Sequence, residues 1–99
     1  MKLAQTAENR CVLDIVQALL GLISGDMRII WFRIDKGILT ISFVVNKKSE
    51  SMIEDVKDII FEVEALNAGE ITTDYELIEY NDGVSCPEDA RMVYRDKYA

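Results

Sequence analysis

The sequence predicts an α+β fold: two helices packed on a mainly antiparallel sheet of about four strands, in the order α-β-β-α-β-β. Three observations carry that expectation. Apolar residues recur at helical spacing in two separate segments. Between those segments lie two runs rich in β-branched and aromatic residues, joined by a short turn. Beyond the second helical segment, residues 70–80 alternate in the period of two that a strand requires. One sheet with its helices on one face is the economical way to bury these surfaces.

Each element has its own signal. Over residues 4–24, Val12, Ile15, Val16, Leu19, Leu20 and Ile23 fall at helical spacing, and Ser24-Gly25-Asp26 ends the run, with Gly25 suited to a left-handed C-cap. Residues 27–34 and 38–45 read as a hairpin about Asp35-Lys36-Gly37, in which Gly37 can take a positive φ. Both runs are apolar on both faces near their middles, which places them centrally in a sheet covered on at least one side. Ser51-Met52-Ile53-Glu54 has the form of a capping box and opens a helix that runs to about Asn67. Ile53, Val56, Ile59, Ile60, Val63 and Leu66 make its apolar stripe, and Gly69 suits its C-cap. In the third strand Ile71, Thr73, Tyr75 and Leu77 share one face, and Thr72, Asp74, Glu76 and Ile78 the other. An irregular loop through Asn81-Asp82-Gly83 and Cys86-Pro87 leads to a last strand over 90–95.

Ninety-nine residues suit one domain spanning 1–99, and a 49 % hydrophobic fraction with interspersed charge argues against disorder. No apolar run approaches the roughly 20 residues of a membrane span. The first residues soon turn polar, so no cleavable signal peptide is expected and the expected compartment is the cytoplasm. Cys11 and Cys86 are expected as free thiols, in keeping with a reducing compartment.

Charge is the strongest functional signal. Residues 50–89 hold thirteen acids and a single base, Lys57, whereas the rest of the chain holds five acids and ten bases. The net charge of −7 is therefore gathered into one stretch. Such a field repels nucleic acid and anionic lipid and attracts cations or basic proteins. Glu50, Glu54, Asp58 and Glu62 fall four apart on the second helix, where each like-charged neighbour pair costs roughly 0.2–0.5 kcal/mol. Dipole and capping chemistry account for the acids of the first turn, but not for Asp58 and Glu62. A solvated outer face is the plain explanation of one stripe. Continuation of the same sign through Asp74, Glu76, Glu79, Asp82, Glu88 and Asp89 brings partner binding level with it.

The chain offers little catalytic chemistry. It has no histidine, which removes the commonest general base and metal ligand at neutral pH. It has no Walker loop, dinucleotide fingerprint, nucleophile elbow, EF-hand ladder or cysteine pair spaced for zinc. No catalytic residue, cofactor or metal is expected. Trp31 and Phe32 between Arg28 and Arg33 form an aromatic-basic pattern suited to single-stranded nucleic acid. The favoured explanation is that one ring lies in the core and the other on the opposite sheet face, since the global charge opposes nucleic-acid binding.

Ala18-Leu19-Leu20-Gly21-Leu22-Ile23-Ser24, followed by Met27-Arg28 entering the hairpin, resembles small bacterial immunity proteins of contact-dependent growth inhibition systems. The resemblance continues through the acidic second helix, the Asp74-Tyr75-Glu76-Leu77-Ile78-Glu79-Tyr80 strand and Val93-Tyr94-Arg95. It covers most of the chain through short patterns without a catalytic motif. It implies a non-enzymatic cytoplasmic protein that neutralises a cognate toxin C-terminal domain, many such toxins being nucleases with basic surfaces. No direct nucleic-acid or membrane partner is then expected, and the oligomeric state is open. The expected contact residues are Glu54, Asp55, Asp58 and Glu62 on the helix, with Asp74, Glu76, Asp82, Glu88 and Asp89. Tyr75, Tyr80, Trp31 and Tyr94 are the aromatics available as anchors. The alternative is a non-catalytic structural or regulatory α+β domain that self-associates through an exposed sheet face or edge.

Overall fold

The computed structural model describes residues 3–97, with side chains from residue 8 onward. In chain order the elements are α1 (Leu3–Leu19), β1 (Met27–Asp35), β2 (Ile38–Val45), α2 (Glu50–Leu66), β3 (Thr72–Glu79) and β4 (Arg91–Arg95). The strands form one sheet in the order β3-β2-β1-β4. As the double-sided apolar pattern required, β1 and β2 are the two central strands. Antiparallel pairing holds for β1–β2 and β1–β4, but β2 and β3 are parallel. The sheet is therefore mixed. The helix α2 carries the chain from the end of β2 back to the start of β3, and such a crossover makes the next strand parallel.

Local chemistry fixes the junctions. Lys36 and Gly37 have φ of 52° and 79°, as a two-residue type I′ turn demands, and Asp35 pairs with Ile38 across it. Helix α1 ends a turn earlier than its apolar spacing suggests. Gly21, not Gly25, takes the left-handed conformation at φ 82°, and the Leu22 and Ile23 amides both return to the Leu19 carbonyl. Leu22 and Ile23 still pack on the core, so their apolarity reports burial and not continued helix. The N-cap of α2 is Ser49, whose Oγ accepts from the Met52 amide at 3.1 Å. The expected box on Ser51 is displaced because Met52 already belongs to the buried stripe, which needs the helix to start before it. At its other end the Gly69 amide donates to the Glu64 carbonyl and that of Ala68 to Ala65. That pattern is a Schellman motif with Ala68, not Gly69, at the left-handed C′ position, φ 55°.

Alternation along the strands creates two cores. Ile30 and Phe32 of β1 and Leu39, Ile41 and Phe43 of β2 bury against both helices, with α1 on the β4 side and α2 on the β3 side. On the reverse face Ile29, Trp31 and Val44 are covered by Tyr80, Val84, Cys86 and Ala90 of the β3–β4 connection. That loop crosses beneath the sheet from one edge strand to the other and acts as a thin third layer. Cys11 belongs to the helix-side core and Cys86 to the reverse side, so the sheet separates the two free thiols. Burial pushes the Cys11 thiol above its ordinary value, and Asp14 and Glu8 add to the effect. Among the described residues no helix is long and apolar enough to cross a membrane.

Candidate partner-binding surface

The buried stripe of α2, Met52, Val56, Ile59, Ile60 and Val63, sets the direction of everything else on the helix. With those five turned inward, the 100° step per residue points Glu54, Asp58 and Glu62 to solvent, and Asp55 sits half-buried at the flank. Among the described residues none of these four carboxylates meets a cation within ion-pair distance or accepts a hydrogen bond from another side chain.

The remaining acids lie elsewhere. Asp74 and Glu76 sit on the face of β3 opposite Tyr75 and Leu77, which pack on the helix-side core. Asp82, Glu88 and Asp89 belong to the connection beneath the sheet. The nine expected contact residues are therefore split between two sides of the sheet. Three of the second group are also tied into the protein, whereas Asp82 and Glu88 have no hydrogen bond or ion pair among the described residues. Glu76 Oε1 accepts a 2.6 Å hydrogen bond from Ser42 Oγ, and Asp89 Oδ1 meets Arg33 Nη2 at 2.9 Å. Asp74 Oδ1 accepts from the Tyr75 amide at 2.8 Å. Glu79, on the same strand, accepts from the Lys48 amide at 3.5 Å. Because β3 is an edge strand, its charges also discourage edge-to-edge pairing with another chain.

The aromatic-basic pattern of β1 does not assemble a nucleic-acid platform. Trp31 and Phe32 are 4 % and 1 % exposed, one in each core. Arg28 stacks over the Tyr80 ring at 4.3 Å and donates to Asn46 Oδ1 at 3.0 Å, with Asp96 at 3.6 Å from its Nε. Arg33 is held by Asp89. Of the aromatics named as anchors, Trp31 is buried and Tyr75, Tyr80 and Tyr94 pack against the two cores. The aromatic that sequence reasoning passed over is Phe61, 70 % exposed on the outer face of α2. Its position was legible: it lies one residue off the buried stripe, three after Asp58 and seven after Glu54.

Chemically this surface can bind but offers little for catalysis. Among the described residues, no group of three or more Asp, Glu, Cys or His side chains is arranged to hold a metal ion. The one shallow groove described, about 250 Å³, lies between the end of α1 and β4 and is lined by Val16, Leu19, Leu20, Gly21, Ile23, Val93 and Tyr94. It contains no ionisable group other than a tyrosine.

No curated protein sequence matches the chain. Residues 8–97, nearly all of the chain from within α1 to the end of β4, match the family model described as MafI2 immunity protein. The chain belongs to the MafI2 immunity protein family, whose members confer immunity against a toxin.

Proposed function

We propose that this protein neutralises its cognate toxin by covering a basic, substrate-binding surface on the toxin's C-terminal domain, in the cytoplasm of the cell that makes both. The toxin is a nuclease of the contact-dependent growth inhibition type, and the immunity protein competes with its nucleic-acid substrate. The observation that carries this reading is the outer face of α2, where Glu54, Asp58 and Glu62 face water with no cationic partner among the described residues. Asp58 and Glu62 lie beyond the first turn, where the helix dipole gives them little, and like-charge spacing along a helix is slightly unfavourable. Their value lies outside the molecule. Opposite charge accelerates encounter towards 10⁸–10⁹ M⁻¹s⁻¹ at low salt and aligns the partners before they touch.

The test is inhibition of the toxin domain encoded beside this protein. Nuclease activity on RNA and DNA is measured with increasing immunity protein at low and high salt. Stoichiometric inhibition that weakens as salt rises is expected. Tight binding without loss of nuclease activity would remove the occlusion mechanism. For the alternative of self-association through an exposed sheet face or edge, both faces of the central strands are covered and the β3 edge carries Asp74, Glu76 and Glu79, which oppose pairing with a second copy.

A further inference from the structure

Two places on the described surface expose large apolar side chains from helices. On α1, Leu13, Val16 and Leu20 line the outer face, Leu20 at 67 % exposure. On α2, Phe61 lies in the same outward arc as Glu54, Asp58 and the small, exposed Ala65, and the less exposed Leu66 ends the helix. Phe is a poorer helix former than Leu, Lys or Glu, so its presence at an exposed helical position is unfavourable both for the helix and for hydration. An aromatic centre surrounded by a charged, hydrated rim is the composition of an interface hot spot.

Charge complementarity distinguishes the two surfaces. The outer face of α1 presents Asn9, Gln17 and Arg10 beside its leucines, with the half-buried Asp14 at its flank. Helix α2 exposes five carboxylates, Glu50, Glu54, Asp58, Glu62 and Glu64, against one base, Lys57. We infer that the α2 face centred on Phe61 is the surface that docks a basic toxin domain, Phe61 filling an apolar pocket while Glu54, Asp58 and Glu62 meet cations around it. This rests on the immunity reading above and adds which side of the molecule binds and what shape the partner offers. A like-charged second copy is a poor occupant, because two such faces repel. The side beneath the sheet is a poorer alternative: Glu76 and Asp89 there already have partners, and the β3–β4 connection that carries the unpaired Asp82 and Glu88 exposes no large apolar side chain among the described residues.

The decisive experiment measures association and dissociation rates with the neighbouring toxin domain across a salt series. Four proteins are compared: wild type, Phe61→Ala, the triple variant Glu54→Gln/Asp58→Asn/Glu62→Gln, and Leu20→Ser on α1. Phe61→Ala is expected to raise Kd about 30-fold, mainly through faster dissociation, while keeping the wild-type salt dependence. The triple variant is expected to slow association and flatten the salt dependence. Leu20→Ser is expected to stay within about twofold, the ordinary result for a residue outside an interface hot spot. Phe61→Leu restores part of the loss if the residue fills a pocket. Thermal unfolding confirms that each variant is folded. Wild-type binding with Phe61→Ala unchanged, or with the loss moved to Leu20→Ser, overturns the inference and leaves the immunity reading standing. A wild type that fails to bind at any salt overturns both.

Discussion

Glu54, Asp58 and Glu62 of α2 and Glu76 and Asp89 beneath the sheet carry the same formal charge and do different work. Glu54, Asp58 and Glu62 have no hydrogen-bond or ion-pair partner among the described residues, whereas Glu76 accepts from the nearly buried Ser42 hydroxyl and Asp89 closes on Arg33. The first set is free to meet a partner and the second is part of the fold. Net charge and residue spacing do not separate them. What separates them is whether a donor within the protein has already claimed the oxygen.

The sharpest way to break this comparison is charge reversal. Lysine at positions 54, 58 and 62 is expected to cost about 100-fold or more in affinity for a basic toxin domain, because juxtaposed like charges cost several kcal/mol. Its thermal stability should match wild type, read by calorimetry. Glu76→Ala reverses the pattern. It strands Ser42 Oγ in a 3 % exposed residue, so a loss of about 1–3 kcal/mol in urea unfolding is expected, with toxin affinity nearly unchanged. Asp89→Asn breaks an exposed ion pair and should cost no more than about 1 kcal/mol by the same assay.

Much of this fold is legible from residue order. The hairpin at Lys36-Gly37, the central placement of β1 and β2 and the division of β3 into two faces all follow from periodicities of one strand or one turn. The parallel β2–β3 pairing does not, because it depends on which edge the chain reaches after α2. The helix ends shifted for a similar reason. Leu22 and Ile23 look helical because the core needs them, and Ser49 outranks Ser51 because Met52 must reach the core. Ala68 shows the limit at one residue: glycine is the expected occupant of a left-handed C′, and the neighbouring Gly69 draws attention away from it. Ala68→Gly should therefore stabilise the protein by about 1 kcal/mol, measured as a raised urea midpoint. Of the site, the acidic stripe on α2 was readable, but its separation from the loop acids required the sheet between them. Phe61 was passed over because attention to an apolar stripe discards the apolar residue that lies off it.

The smallest expected effect concerns the core and not the surface. The Cys11 thiol titrates above its ordinary value of 9.0 in the folded protein, so the folded state keeps a proton that the unfolded state releases. Its contribution to stability is complete below the unfolded value and declines as pH rises from about 9 towards the folded value. Urea midpoints taken across that range should fall more steeply for wild type than for Cys11→Ala.

The central claim is that acids without internal partners on α2 recognise a basic toxin domain. Calorimetric titration of the neighbouring toxin domain at low and high salt, with wild type and the 54/58/62 lysine variant side by side, tests it most directly. The account predicts one-to-one nanomolar binding by wild type that weakens with salt, and little or no binding by the variant. Equal heats and equal affinities for the two proteins would contradict it, and would return the stripe on α2 to plain solvated surface.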